Sequence, residues 1–215
     1  LFQMTGLPNM RVAVPCDAVE TEKMTRALLF DVVGPKYLRF AREATPIVTK
    51  PDTPFVFGEA NVYRYRGETE NFVDAFEITL ASEYENEGEE LTIISCGPET
   101  AEALRAAYIL KSDFGVETRV INMHTVKPLD RDAILRAASE TSAIITAEEH
   151  QIGGLGNLVA AVVAEGNFDG GESVKFSMVG VRDSFGESGK PWQLIKKYGL
   201  AAEHIALRAK ELLDK

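Results

Sequence analysis

Cysteine is nearly missing from this 215-residue chain: Cys16 and Cys96 stand eighty positions apart, and neither belongs to a Cys-x-x-Cys pair. Zinc, iron–sulfur and dithiol redox chemistry therefore lack their ligand spacing, and both thiols are expected to be free and mostly buried. Histidine is almost as scarce, with His124, His150 and His204 scattered along the chain, so no metal site built from this chain alone is expected. No apolar run is long enough to cross a bilayer, and no basic start precedes an apolar core of the signal-peptide kind. The expectation is a soluble cytoplasmic protein without a membrane partner. Positive charge is also in short supply, with 23 Lys and Arg against 33 Asp and Glu for a net −10. An acidic excess repels phosphate backbones and no basic stripe with interleaved aromatics is visible, so nucleic-acid binding is not expected.

What the chain does have is 45% hydrophobic residues, enough for one sizeable α/β domain or one domain plus a piece of another. The acids are unevenly placed: residues 67–90 hold nine of them and no Lys or Arg. Within that block Phe72, Phe76, Leu80 and Tyr84 recur every four residues, a spacing that would suit a short amphipathic helix with an acidic outer face, although a solvated surface insertion at about 68–89 is the favoured reading. From residue 91 onward β-branched runs alternate with helical spacing. Strands are predicted at 91–95, 118–123, 142–146 and 174–181. The intervening helices start after Gly97-Pro98, at Asp130 as N-cap and at Leu155, and one or two closing helices over 192–213 break near Gly199. This order implies an α/β fold, a mostly parallel sheet with helices on both faces joined by right-handed crossovers.

Residues 1–44 stand apart from that sheet. A helix tail at 1–4, a strand at 11–15, a helix at 19–32 and a strand at 36–41 make an incomplete βαβ remnant of a second α/β domain. So little chain buries too little apolar surface to stand alone, and its sheet must be completed by something else. Pro46, Pro51 and Pro54 mark 45–56 as an extended linker, leaving 57–215 as the second domain.

Three groups of residues invite chemistry. T-A-E-E-H-Q-I-G-G-L-G-N at 146–157 is a strand-to-helix junction, where Gly153, Gly154 and Gly156 allow positive φ and a close approach of helix to sheet. A helix N-terminus also favours an anion, but neither a Gly-x-Gly-x-x-Gly nor a P-loop pattern is present, and tight packing is the better reading. Glu148, Glu149 and His150 tempt an acid–base reading, yet alternation along a strand puts the two acids on opposite faces, and no nucleophile with a positioned base lies nearby. A polar loop or interface role is favoured for His150. In Y-L-R-F-A-R-E, Arg39 and Arg42 sit at a strand end, where a guanidinium suits bidentate capture of phosphate or carboxylate; an ordinary salt bridge to Glu43 or Asp17 remains the alternative.

The junction at 146–157, V-K-P-L-D at 126–130 and G-V-R-D-S-F-G-E-S-G at 180–189 together resemble the C-terminal domain of transketolases. L-P-N-M-R-V-A-V-P-C-D-A-V-E-T followed by G-P-K-Y-L-R-F-A-R-E is similar to the last βαβ unit of their pyrimidine-binding domain, especially in the split form made as two polypeptides. The resemblance implies part of a thiamine-diphosphate enzyme that transfers a two-carbon ketol unit between sugar phosphates. It implies Arg42, with Arg39, as ligands of the substrate phosphate, and Asp17 at the active-site mouth. It also implies a homodimer with Glu148, Glu149, His150, Gly153, Gly154 and Asp183 at or near the contact, and an N-terminal transketolase section as a further partner. The pyrimidine-activating glutamate, the aromatic platform and the Gly-Asp-Gly…Asn motif for magnesium and diphosphate are absent from the chain. Thiamine diphosphate and Mg²⁺ are therefore expected in the complete enzyme and not on this chain alone, with no catalytic residue assigned here. A deoxyxylulose-phosphate synthase, an oxo-acid dehydrogenase β subunit and a non-catalytic dimerisation module are the competing readings.

Overall fold

A computed structural model describes residues 1–166 and 174–214. The chain opens with a one-turn helix α1 (Phe2–Thr5), strand β1 (Arg11–Ala13), helix α2 (Ala18–Phe30) and strand β2 (Lys36–Leu38). After an extended passage come β3 (Asn61–Tyr65), β4 (Phe76–Leu80), β5 (Leu91–Ser95), α3 (Glu99–Phe114), β6 (Thr118–Asn122), β7 (Thr125–Lys127) and α4 (Arg131–Glu140). The chain closes with β8 (Ala143–Gln151), α5 (Leu155–Glu165), β9 (Lys175–Val181), α6 (Pro191–Lys197) and α7 (Ala202–Leu213). Among the described residues no helix is long and apolar enough to cross a membrane.

Six strands form the main sheet in the order β4-β3-β6-β5-β8-β9, and β6, β5, β8 and β9 run parallel as the alternation of strand and helix predicts. Side-chain alternation divides its core into two layers. Ile93, Val120 and Ile145 face α3 and α7, where Leu104, Leu110, Ile205 and Ala209 meet them. Ile94, Ile121 and Ile144 face α4 and α5, against Ile134, Val159 and Val162. The helices begin where the sequence places them. Asp130 caps α4 by accepting from Ala133 N at 3.0 Å, and the same carboxylate reaches back to Ala60 N at 2.9 Å. Gly115 ends α3 in the left-handed region at φ 66°.

Two expectations change. Residues 76–80 are strand β4, antiparallel to β3, and not an amphipathic helix. Phe76, Ile78 and Leu80 share one strand face by period two, and Phe76 and Ile78 meet the core; the four-residue spacing arose because Phe72 and Tyr84 belong to flanking 3-10 turns. β8 also runs on through His150 to Gln151, so the acids of the 146–157 junction are strand residues and the turn is confined to the glycines.

The first unit forms a second, three-stranded sheet, β2-β1-β7. What completes it on one side is β7, from the later part of the same chain, antiparallel to β1. The extended passage is clamped down as well. Asp17, the N-cap of α2, takes hydrogen bonds from Val48 N at 2.8 Å and from Thr49 N at 2.7 Å.

Candidate functional site

In the parallel part of the main sheet, the chain leaves β5 toward β6 and returns past it to β8. The strand order therefore reverses between β5 and β8, the point at which open α/β sheets leave a crevice beyond the carboxyl ends of their strands. A 540 Å³ cleft lies there. Pro98 and Ala101 from the start of α3 and Glu149 from the end of β8 form its floor side, and residues 39–46, arriving from β2, cross over it.

This crossing brings Arg39 and Arg42 to the same cleft. Arg39 Nη2 sits 3.6 Å from Glu149 Oε2 and donates to the Glu149 carbonyl at 3.5 Å. Arg42 is exposed and has no hydrogen bond or ion pair among the described residues, so its planar fork of N–H donors is open to a ligand. Neither arginine meets Glu43 or Asp17. Just beneath, Glu99 is fully buried with both carboxylate oxygens unpartnered. Burial, with Glu102 and Glu149 close by, pushes its pKa well above the ordinary carboxylate range. In the sequence Glu99 is one more acid in a first helical turn, with nothing to mark this burial.

Asp17 is 3% exposed, and Glu20 N, Val48 N, Thr49 N and Thr49 Oγ1 all donate to its carboxylate. It also lines a neighbouring 380 Å³ cleft with Phe40 and Ala44. Beside it, Glu20 accepts from Cys16 N at 2.7 Å and from Asn122 Nδ2 at 2.8 Å, joining the start of α2 to the end of β6. Burial raises the Glu20 carboxyl to about 7 and drives the Cys16 thiol well above its usual value. Nothing in the sequence distinguished Glu20 from any other acid in a first helical turn.

The β8–α5 junction is a packed corner. Glu148 is fully buried and accepts from Leu155 N at 2.7 Å and Gly156 N at 3.1 Å, so its charge rests on the first turn of α5. Burial raises its pKa and lowers that of His150 to about 4, leaving the imidazole neutral at physiological pH. His150 Nε2 is 3.2 Å from Glu148 Oε2 but off the hydrogen-bond direction, and Nδ1 meets the Gln151 carbonyl at 3.0 Å. A Cβ on Gly154 would overlap His150 Cε1 and Glu148 Oε2, and one on Gly156 would come within 2.9 Å of Met178 Sδ, which explains both glycines by packing. Gly153 supplies the turn at φ 123°. Glu149 turns to the opposite side from Glu148, as strand alternation requires, and meets Arg39. Glu148 is spent inside the chain. Glu149, His150, Gly153 and, on its own loop, Asp183 keep some exposed surface.

A sequence profile described as "Transketolase, C-terminal domain" matches residues 81–205. The chain belongs to the transketolase family. A Methanocaldococcus jannaschii protein, whose name gives it provisionally as a transketolase C-terminal section, is 36% identical over 99% of this chain and 58% of its own length. One of the subunits of the apulose-4-phosphate transketolase of Phocaeicola vulgatus is 34% identical over 97% of the chain and 58% of its own length. A solved structure titled as a split-gene transketolase, an inactive β4 tetramer, superposes with a TM-score of 0.78 at 34% identity, over 100% of this chain and 60% of that one. The chain thus spans less than two thirds of the relatives it matches. Among its described residues no three His, Cys, Asp or Glu side chains converge on one point.

Proposed function

We propose that this chain is the C-terminal part of a thiamine-diphosphate-dependent transketolase that moves a two-carbon ketol unit between sugar phosphates. Its share of the work is recognition and assembly. Arg42, helped by Arg39, takes the phosphate of the sugar in the cleft beyond β5 and β8, and the observation that carries this is an exposed, unpaired guanidinium at the rim of that cleft. When bound in the complete enzyme, thiamine diphosphate with Mg²⁺ would supply the carbon–carbon bond chemistry, and on this reading its binding motifs lie on the N-terminal section. We assign residues 1–44 to the end of the pyrimidine-binding domain, 45–56 to a linker and 57–215 to the C-terminal domain.

The partners are an N-terminal transketolase section, which brings the cofactor-binding motifs, and a second copy of this chain. Phe185, 99% exposed, and Trp192, 64% exposed, lie in and beside the 180–189 loop and support a homodimer contact there with Asp183, Glu149, His150 and Gly153, whereas Gly154 is buried in the corner. This reading also places the assembly in the cytoplasm. The test mixes the chain with the N-terminal section, thiamine diphosphate and Mg²⁺, and follows ketol transfer from a ketose phosphate to an aldose phosphate. Activity should need both polypeptides. Activity of this chain by itself, or pyruvate consumption in place of ketol transfer, would sink the proposal.

A further inference from the structure

A third cleft, of 650 Å³, opens along β9, the edge strand of the main sheet among the described residues, between that strand, α6 and α7. Among the described residues its charged lining is of one sign: Arg182, Lys197 and Arg208 face it together with His204. That runs against the rest of a chain with a net −10. Lys197 is held by Glu187 at 2.6 Å, and Arg208 by Glu211 at 3.1 Å, both acids outside the lining. Arg182 has no such partner among the described residues. One of its N–H groups donates to the Met178 carbonyl at 3.1 Å and the remainder of the fork is unused. His204 Nδ1 is buried without a hydrogen-bond partner.

A concave site walled by one sign of charge concentrates counter-ions, and a guanidinium with free donors matches a phosphate in shape and charge. The His204 ring lines the same cleft, and its Nδ1 is a buried polar atom that the described residues leave without a partner. We propose that this cleft binds a small phosphorylated metabolite, with Arg182 and His204 contacting the phosphate and Lys197 and Arg208 supplying field. The site is separate from the one that holds Arg42, although the Tyr198 side of α6 borders both clefts.

The test follows the imidazole signals of His204 by NMR while the chain is titrated with fructose 6-phosphate, inorganic phosphate or fructose. Fructose 6-phosphate should move them saturably, inorganic phosphate should do so more weakly, and fructose should leave them in place. Arg182→Ala, on an exposed side chain, should weaken the effect about tenfold or more, as expected for one charge-assisted contact. Lys197→Ala should weaken it less, and Arg42→Ala should leave it unchanged. Cations also guard open strand edges. If that is all they do here, no saturable shift will appear or Arg182→Ala will bind like the parent, and either result overturns the proposal. Loss of the shift in Arg42→Ala with retention in Arg182→Ala would overturn it too, by moving the phosphate to the other cleft.

Discussion

Arginines at the two ends of the molecule do opposite things. At the acidic edge of the main sheet, Arg64 meets Glu89 and, at 2.7 Å, Glu87, and Arg66 meets Glu77 and, at 2.5 Å, Glu87. Tyr84 fills the space between, its hydroxyl donating to Glu89 at 2.6 Å and its ring lying 4.5 Å from the Arg64 guanidinium. Four of the nine acids of 67–90 are therefore accounted for in part or whole by Arg64, Arg66 and Lys50, the last reaching Asp74. At the cleft beyond β5 and β8, by contrast, Arg42 pairs with no acid among the described residues. The same side chain is a brace where its charge is spent inside the fold and a ligand-binding group where it is left over.

The strongest way to break this contrast is Arg64→Ala. It strands the nearly buried Glu89 carboxylate, and removing one partner of a buried pair costs about 3–5 kcal/mol. Urea denaturation should show that loss, with ketol transfer by the folded assembly unchanged; a loss below about 1 kcal/mol, as for exposed pairs, would mean that the brace is not one.

Next comes pH, which sharpens the comparison between buried acids with and without a guanidinium. For Glu89, burial alone would raise the pKa, but the hydrogen bonds from Arg64 and then Tyr84 outweigh it and the value is lowered. Its stabilisation is present above the unfolded pKa and is lost as pH falls through the folded one. Glu20, which has no cation beside it, is raised to about 7 by burial. Its stabilisation is complete below the unfolded value near 4.5 and is lost as pH rises through about 7. At about 1.4 kcal/mol per unit, the loss is on the order of 3 kcal/mol. Denaturation of the parent and Glu20→Gln at pH 5 and pH 8 isolates it, because only the parent should weaken on the alkaline side. Parallel curves would reject the assignment.

Arg42→Ala is the converse of Arg64→Ala. Hydrogen bonds to charged groups are worth about 1.5–3 kcal/mol, so KM for phosphorylated donors should rise roughly ten- to a hundredfold in the complete enzyme. Stability should stay the same, and an unphosphorylated donor such as hydroxypyruvate should be affected less. Equal losses for both donors would remove the phosphate role. The smallest effect belongs to Glu149→Gln. Its partly exposed 3.6 Å contact with Arg39 is an ion pair of the weak class, and the melting free energy should change by less than about 1 kcal/mol. A larger drop would show that Arg39 is pinned by Glu149 and not available to a substrate.

Local patterns carried far. The α/β order after residue 91, the N-cap at Asp130, the glycine corner at 153–156 and the break near Gly199 were all readable, because each rests on spacing between near neighbours. The motifs around Arg39, His150 and Asp183 also placed the chain in its family before any coordinates. Residues 76–80 were misread because the same apolar residues fit a period of four and a period of two, and only pairing with β3 decides between them.

What the sequence determined by itself was therefore the kind of elements, their order and the family, since these follow from backbone preferences and side-chain periodicity over a few residues. What only the tertiary structure decided was which charges are spent. Arg64 and Arg42, Glu99 and Glu149, Glu20 and any surface acid are alike as letters, and they part company when distant segments meet. β7 closing the first sheet, Asp17 clamping Val48 and Thr49, and residues 39–46 crossing the β5–β8 crevice each join positions far apart in the chain. Burial and pairing are properties of those meetings, because the cost of a charge is set by the solvent and partners around it and not by its neighbours in sequence.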